Sequence, residues 1–414
     1  MPDLSSGAVI LFDHPAAQAV LSFLDTGLAH FSGWQILVYT LIVTHITIAA
    51  VTIYLHRCQA HRALELHPVI SHFFRFWLWI TTGMITKEWA AIHRKHHAKC
   101  ETEEDPHSPQ TRGIRKVLLE GAELYRAETY NAETMTRYGH GTPDDWVERN
   151  VYARFAMWGI YITLVADVLL FGAIGITVFA VQMIWIPVTA AGIINGLGHF
   201  RGYRNFDSPD ASRNLIPWGI LIGGEELHNN HHAFATSARL SNRWYEFDIG
   251  WMYIRIMQAL GLATVRKLAP VPRLAEPRNQ VDAQTLQAVI AHRYDLMAAY
   301  GKSLAQTCSQ EVARLRAVQP AQAMTLRSAS DWLHLDTARW SEQNRATLGE
   351  VFAASAPLQK LVEMRSELAV TWERSNSSAE QLIVHLQDWC RRAEESGIAA
   401  LQELSLRMRS YTPA

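Results

Sequence analysis

The chain has 414 residues, with 38 Lys and Arg against 39 Asp and Glu, and its formal net charge of -1 at pH 7 excludes the global basic field of a nonspecific nucleic-acid binder. Apolar residues make up 49% of it and charged residues 19%, against about a quarter in an ordinary globular chain, so the average covers two unlike parts. Nineteen histidines are the compositional outlier, and sixteen of them precede residue 260. The four cysteines, at 58, 100, 308 and 390, form no CxxC pair and predict reduced thiols, not a disulfide framework or a thiolate zinc site.

In chain order, the opening MPDLSSGAVILFDHPAAQ lacks a basic n-region and carries Asp and His within its apolar stretch, which predicts no cleaved signal peptide and a cytosolic N-terminus. Residues 34–55, WQILVYTLIVTHITIAAVTIYL, are free of formal charge and long enough for a transmembrane helix. Ala8–Leu24 is expected to complete an N-terminal hairpin with them. Val69–Thr86 is apolar but contains His72 and Arg75. Were it to cross fully, His56 and His61 would be separated by the membrane from His93, His96 and His97, so it is expected to be a buried, interfacial or re-entrant helix. Val151–Ile194 predicts a membrane hairpin broken near Gly172–Gly175, with Asp167 facing protein and Arg154 snorkelling to the interface. The basic stretches RCQAHR, HRKHHAK and RGIRK fall on the same, cytosolic, side in this arrangement.

Residues 98–150 are polar and cytosolic in this reading, and 198–268, rich in aromatics, cap the membrane part. Together these make a domain over 1–268. APVPRLAEPRNQ reads as a linker over 269–280, and 281–414 as a soluble extension of three or four helices, broken near Pro320, Pro357, Ser375–Ser378 and Gly397.

Three histidine clusters carry the chemistry: HRCQAH at 56–61, HRKHH at 93–97 and HNNHH at 228–232. In the last two, histidines at i, i+3 and i+4 share one helical face and can converge on a metal. In the first, a spacing of five puts the rings about 140° apart on an ideal helix, so His61 is expected at or beyond a helix end or distortion. Eight imidazoles exceed the needs of one tetrahedral site and predict two metals in a shared box. Imidazole binds Fe, Cu, Ni and Zn alike. A zinc hydrolase is disfavoured by the absence of HExxH. A carboxylate-type di-iron bundle needs paired ExxH motifs, and only Glu225 and His228 form one. A redox-active metal beside a membrane matches oxygen activation on an apolar chain. Without a flavin or nicotinamide fingerprint in the sequence, electrons are expected from another protein.

The region from about residue 34 to 268 resembles the integral-membrane fatty acyl desaturases, especially the acyl-CoA delta-9 desaturases. The family pattern HRxxxH, HRxHH and a late HNxHH is met in order by HRCQAH, HRKHH and HNNHH, and NGLGHFRGYRNFD at 195–207 looks like the family's Asn-x-x-x-His segment. The resemblance implies that His56, His61, His93, His96, His97, His199, His228, His231 and His232 ligate two irons, with Asn195 reaching one metal through water. It also implies O2 as co-substrate, and a cis delta-9 double bond in a long-chain acyl thioester such as acyl-CoA, or in another acyl lipid. The electron donor would be a ferredoxin or a cytochrome b5-like protein with its reductase. The protein would sit in the lipid bilayer as a multi-pass, cytoplasmic-membrane enzyme with its active site facing the cytosol, and it would have no nucleic-acid partner.

The expected fold is therefore all-α, with integral membrane helical hairpins, a cytosolic cap holding a histidine-rich di-iron site, and a soluble helical C-terminal extension. His45, His67, His72 and His107 are expected to be structural or to support the ligands. Asp105 either orients a ligating imidazole or caps a turn before Pro106, and Trp89 either packs in the core or lines an acyl tunnel. Arg57, Arg62, Lys87, Arg94, Lys95, Arg201 and Arg204 are available to hold head-group phosphates or to solvate the interface. A membrane hydroxylase and a metal transporter are the rival readings.

Overall fold

A computed structural model describes residues 14–330, 332–333, 335, 340–373 and 377–413. Residues 8–13 of the first apolar stretch, His334, and residues 375 and 376 of one expected break lie outside the described residues. The described chain is mostly helical, with short strand pairs such as Leu64–Leu66 antiparallel to Ala263–Val265. It divides into two compact units. The first runs to Arg204 and includes Asp210–Ala269; the second comprises Asn205–Pro209 and Pro270–Ala414.

In the first unit, a 28-residue apolar helix spans Gly33–Ala60 and a 24-residue one spans Ile174–Leu197. Both are long and apolar enough to cross a bilayer. The Gly33 helix starts on a capping box made by Ser32 and Gln35. Both long helices end in π-helical stretches, Ala50–Ala60 and Pro187–Leu197. Ala156–Phe171 is apolar but only 16 residues long, so the expected pair of spans over 151–194 is one full-length helix and one shorter one. The break falls at Gly172, whose φ of 67° lies in the left-handed region open to glycine, and an added Cβ there would stand 2.3 Å from the carbonyl oxygen of Phe23. Both helices turn large apolar side chains outward, among them Trp158 at 60% exposure and Ile176 at 58%. Such a belt is costly in water and natural against lipid, and it supports membrane association.

Asp167 is fully buried and accepts a hydrogen bond from the Tyr39 hydroxyl at 3.1 Å, so it faces protein as expected. The Val69–Thr86 stretch forms a 15-residue helix, Pro68–Thr82, opened by the His67 side chain and closed by left-handed Gly83. It falls short of a bilayer crossing. Its Arg75 is buried, paired with Asp145 and Glu148 at 2.6 and 2.8 Å. Two residues after Met84 the chain enters the Thr86–Lys99 helix that carries HRKHH.

The second unit has its own core, which includes Leu296, Tyr300, Leu361 and Trp389. Seven helices stand among its described residues: Ala283–Ala291, Arg293–Arg316, Pro320–Ala329, Glu342–Ala354, Ala356–Glu373, Ala379–Glu395 and Ala399–Ser410. The sequence pattern under-counted them in part because the break at His292 carries neither Gly nor Pro. Asn205–Pro209 belongs to this unit, and the Asp207 amide donates to the Tyr294 carbonyl at 3.1 Å.

Arg57, inside HRCQAH, is 1% exposed and makes a two-pronged pair with Asp248 at 3.0 and 3.1 Å. Removing one partner of such a buried pair leaves an uncompensated charge. Asp248→Ala is expected to destabilise the protein by about 3–5 kcal/mol, read as a lowered unfolding temperature in detergent.

Candidate metal centre

His56 and His61 both face the site because the helix carrying them is π-helical. An i to i+5 hydrogen-bonded turn brings residues five apart to one side, and the His61 amide donates to the His56 carbonyl at 3.0 Å. The distortion expected from the spacing is this one. On the Thr86–Lys99 helix His93, His96 and His97 point inward, and on the short His228–Ala233 helix so do His228, His231 and His232. His199 follows the end of the second π-helical stretch.

The rings sort into two adjoining groups, His56, His61, His93, His97 and His231 in one and His96, His199, His228 and His232 in the other, the ring nitrogens of each lying within 4.8 Å of one another. Neither HxxHH motif serves a single group. The i, i+4 pair His93 and His97 joins the first group while His96 joins the second, and on the other helix His228 and His232 join the second while His231 joins the first. Asn195 belongs to neither group; it lies in the wall of the adjoining cavity with His228.

Ring nitrogens face one another at short range: Nε2 of His56 and His231 at 3.0 Å, of His61 and His93 at 2.8 Å, of His97 and His231 at 2.8 Å, and of His199 and His228 at 3.0 Å. The Nε2 atoms of His96 and His232 are buried without a hydrogen-bond partner. Neutral imidazoles offer one donor each, so nitrogens gathered in this way are best satisfied by cations between them. The residues present therefore fit two metals bound by nitrogen.

Four rings are held from behind by carboxylates. His56 Nδ1 meets Glu225 at 2.7 Å, His96 meets Asp105 at 3.0 Å, His199 meets Glu101 at 3.3 Å and His232 meets Asp210 at 3.2 Å. Such partners fix the tautomer and raise ligand basicity. Glu225 also accepts from the Thr52 hydroxyl at 2.5 Å, and Asp105 both orients His96 and accepts from the amides of Glu101 and His107. Its two expected roles coexist. Glu101 and Asp210 escaped sequence reasoning, since nothing local in the chain marks them as backing His199 and His232.

Burial, followed by the charge of neighbouring imidazoles, holds His61, His93, His97, His228 and His231 well below their ordinary value of 6.5. Burial also pushes His107 down to about 3. For His96, burial opposes the charged form but the Asp105 carboxylate outweighs it and raises the value. Asp105 and Asp210 move the other way from what burial alone would do, drawn well below the carboxylate range chiefly by His96 and His232 respectively. Most of the rings are thus neutral, the state in which imidazole binds metal.

The site opens on a cavity of about 520 Å³ whose wall includes His56, His93, His107 and His228 beside apolar Met84, Ile186 and Ile194. Trp89 stacks on His93, with centroids 4.9 Å apart, and lines the same cavity. His107 stacks on His96 at 4.5 Å and shares the wall, a placement its sequence context did not reveal. His45 bonds Tyr253 at 2.7 Å, and His67 caps its helix.

The cations expected to be free for phosphates are largely engaged elsewhere. Arg57 is paired with Asp248, Arg94 donates to the carbonyls of Gln59, Ala60, Tyr138 and His140, Lys95 pairs with Glu128 at 2.8 Å, and Arg204 donates to the carbonyls of Asp210 and Ser212. Arg62, Lys87 and Arg201 do not line the cavity.

A cage of imidazoles beside an apolar cavity, in a unit with helices long and apolar enough for a membrane, fits a membrane-associated metal-binding protein. Residues 32–264 match the family model described as fatty acid desaturase, and the chain belongs to that family. Within it the likeness is to delta-9 desaturases. A probable chloroplastic lipid desaturase of Arabidopsis thaliana is 32% identical over 224 residues, 53% of this chain and 60% of that protein. An sn-1 stearoyl-lipid 9-desaturase of Anabaena variabilis is 30% identical over 224 residues, 53% of this chain and 79% of that protein. Delta-9 acyl-lipid desaturase 1 of Arabidopsis thaliana is 29% identical over 239 residues, 57% of this chain and 76% of that protein. Residues 280–413 match a family model described as transposase.

Two outcomes test this geometry. Asp105→Asn and Glu225→Gln are expected to lower metal affinity about 10–100-fold, measured as metal retained after dialysis against a chelator series. The unfolded chain takes up protons on its histidines near the ordinary 6.5 while most of the folded rings refuse them, so stability is present above that pH and lost below it. Metal-free protein is therefore expected to lose unfolding temperature steadily between about pH 7 and pH 5; a flat profile would contradict the neutral cluster.

Proposed function

We propose that the protein introduces a cis double bond at the delta-9 position of a long fatty acyl chain, using dioxygen and electrons from an external redox protein. The observation that carries this reading is the opening of both imidazole groups onto one apolar cavity. Nine histidines, His56, His61, His93, His97 and His231 with His96, His199, His228 and His232, would hold two irons, and Asn195, in the cavity wall, would contact one of them through water. Bound there, the iron pair supplies the redox chemistry that removes hydrogen from unactivated carbons.

The chain's own residues do the positioning. Glu225, Asp105, Glu101 and Asp210 keep four rings aimed, and the apolar wall excludes water and guides the acyl chain past His56 and His93. Trp89, packed on His93, limits how the chain can lie at the metal end. Regiochemistry then follows from the fixed distance between the cavity mouth and the histidines. The overall balance is two electrons and two protons from the acyl chain, two electrons from the donor and two protons from solvent, reducing one dioxygen to two waters. A ferredoxin or a cytochrome b5-like protein meets the electron requirement. The orientation consistent with the basic stretches is multi-pass, with the site on the cytosolic face.

The test is mass analysis of product after turnover of iron-loaded protein with a stearoyl substrate, dioxygen and a reducing partner. Loss of two hydrogens is expected. Gain of one oxygen would replace desaturation with hydroxylation, and protein that takes up no iron would remove both. His93→Ala and His231→Ala are each expected to abolish turnover and lower iron content while the protein still inserts into membranes.

A further inference from the structure

The residues after His199 form a loop whose neck and tip are held by different parts of the chain. At the neck, Tyr203 and Asn214 exchange backbone hydrogen bonds of 2.9 and 2.8 Å, and the Arg204 guanidinium donates to the carbonyls of Asp210 and Ser212 at 2.8 and 3.0 Å. These residues belong to the first unit, whereas the tip, Asn205–Pro209, belongs to the second. There the Asp207 amide donates to the Tyr294 carbonyl at 3.1 Å, and the Asp207 carboxylate accepts from Arg365 at 2.5 Å. Arg365, on the Ala356–Glu373 helix, is 3% exposed and also donates to the Leu335 carbonyl at 2.6 Å. A guanidinium so buried needs a carboxylate in a fixed place, and the one it meets belongs to the middle residue of the loop tip.

The returning limb of this loop supports the second imidazole group. Asp210, the residue next to the tip, meets His232 Nδ1 at 3.2 Å. The Ala211 amide donates at 2.6 Å to the Glu101 oxygen that meets His199 Nδ1 at 3.3 Å. The Arg213 amide donates at 2.7 Å to the carbonyl of Gly198, the residue before His199. Two of the four rings of that group are thus aimed from the limb, while Glu225, the carboxylate behind His56 in the first group, stands outside the loop. A loop tethered only at its neck samples several conformations, and metal ligands tolerate only small errors of aim.

We infer that Arg365 is a positioning residue for the second imidazole group. By holding Asp207 it fixes the loop tip, and the chain running on from Asp207 keeps the Asp210 carboxylate on His232 and, through the Ala211 amide and Glu101, the His199 ring in place. The constraint passes along the covalent chain, since Asp210 follows the tip directly. The first group takes none of its carboxylate support from this loop. This role rests on the nine histidines holding two metals, and it gives the second unit a task at a centre to which it supplies no ligand among the described residues.

The experiment is metal retention by the full-length protein in detergent, loaded with ferrous iron without oxygen and dialysed against a chelator series. The unaltered protein is expected to hold two irons. Arg365→Gln and Asp207→Asn are each expected to leave one iron as firmly held as before and to release the other at about tenfold lower chelator concentration, the lower end of what an orienting carboxylate contributes. Asp207→Asn keeps the side-chain shape and supplies the test should Arg365→Gln fail to fold. Asp210→Asn is expected to release the same iron, and Arg365→Gln added to it is expected to weaken retention little further, because both act on one linkage. Tyr300→Phe, which deletes a 2.8 Å hydrogen bond to the Leu361 carbonyl in the same helical core, is expected to lower the unfolding temperature and leave both irons retained. Two irons held as firmly in Arg365→Gln and Asp207→Asn as in the unaltered protein, equal weakening of both irons, or the same loss in Tyr300→Phe would overturn the positioning role and leave the metal centre standing. Unaltered protein that takes up no iron would overturn the metal centre and this role with it.

Discussion

Nine imidazoles crowded into one space can coexist only if most of them stay uncharged. Most of the rings are buried, and each protonated neighbour would oppose the next at centroid separations of 4–6 Å, as between His56 and His231 at 4.3 Å or His97 and His232 at 4.4 Å. The four backing carboxylates act within this constraint. They stand on the outer, Nδ1 side of His56, His96, His199 and His232, so negative charge orients the rings without occupying the inner space. A carboxylate cage would have neutralised the metals directly. An imidazole cage would leave the positive charge of metals held there largely intact, which favours a reduced state.

The same constraint shapes the backbone. Two π-helical stretches, Ala50–Ala60 and Pro187–Leu197, end beside the site, and such windings are rare and cluster where function demands an unusual side-chain register. The first lets His56 and His61 share a face that an α-helix would split. The HRCQAH spacing announced that distortion, and HRKHH and HNNHH announced the shared helical faces, because ligand convergence is a matter of local periodicity. The division of each HxxHH between two groups was not legible, since it depends on how two helices meet and not on either one alone. Glu101 and Asp210 were invisible for the same reason. The head-group cations show the reverse failure: Arg57, Arg94 and Lys95 read as available beside the motifs, yet the fold turns them to Asp248, to backbone carbonyls and to Glu128. A charged residue near a site in sequence is as often a strut for that site as a ligand for its substrate.

The second unit follows a different logic. Its helices are polar outside and close over a core that includes Leu304, Leu358, Met364 and Leu401, and its strand pair Arg273–Leu274 with Tyr411–Thr412 ties its beginning to its end. Between residues 270 and 414 the sequence holds sixteen Lys and Arg and sixteen Asp and Glu, a balance that gives no overall attraction to a phosphate backbone. Residues 280–413, which match a transposase model, lie within this balanced stretch. All nine histidines of the two groups, their four carboxylates and the lining of the cavity lie in the first unit. Among the described residues, both imidazole groups and their carboxylates are thus drawn from the first unit alone.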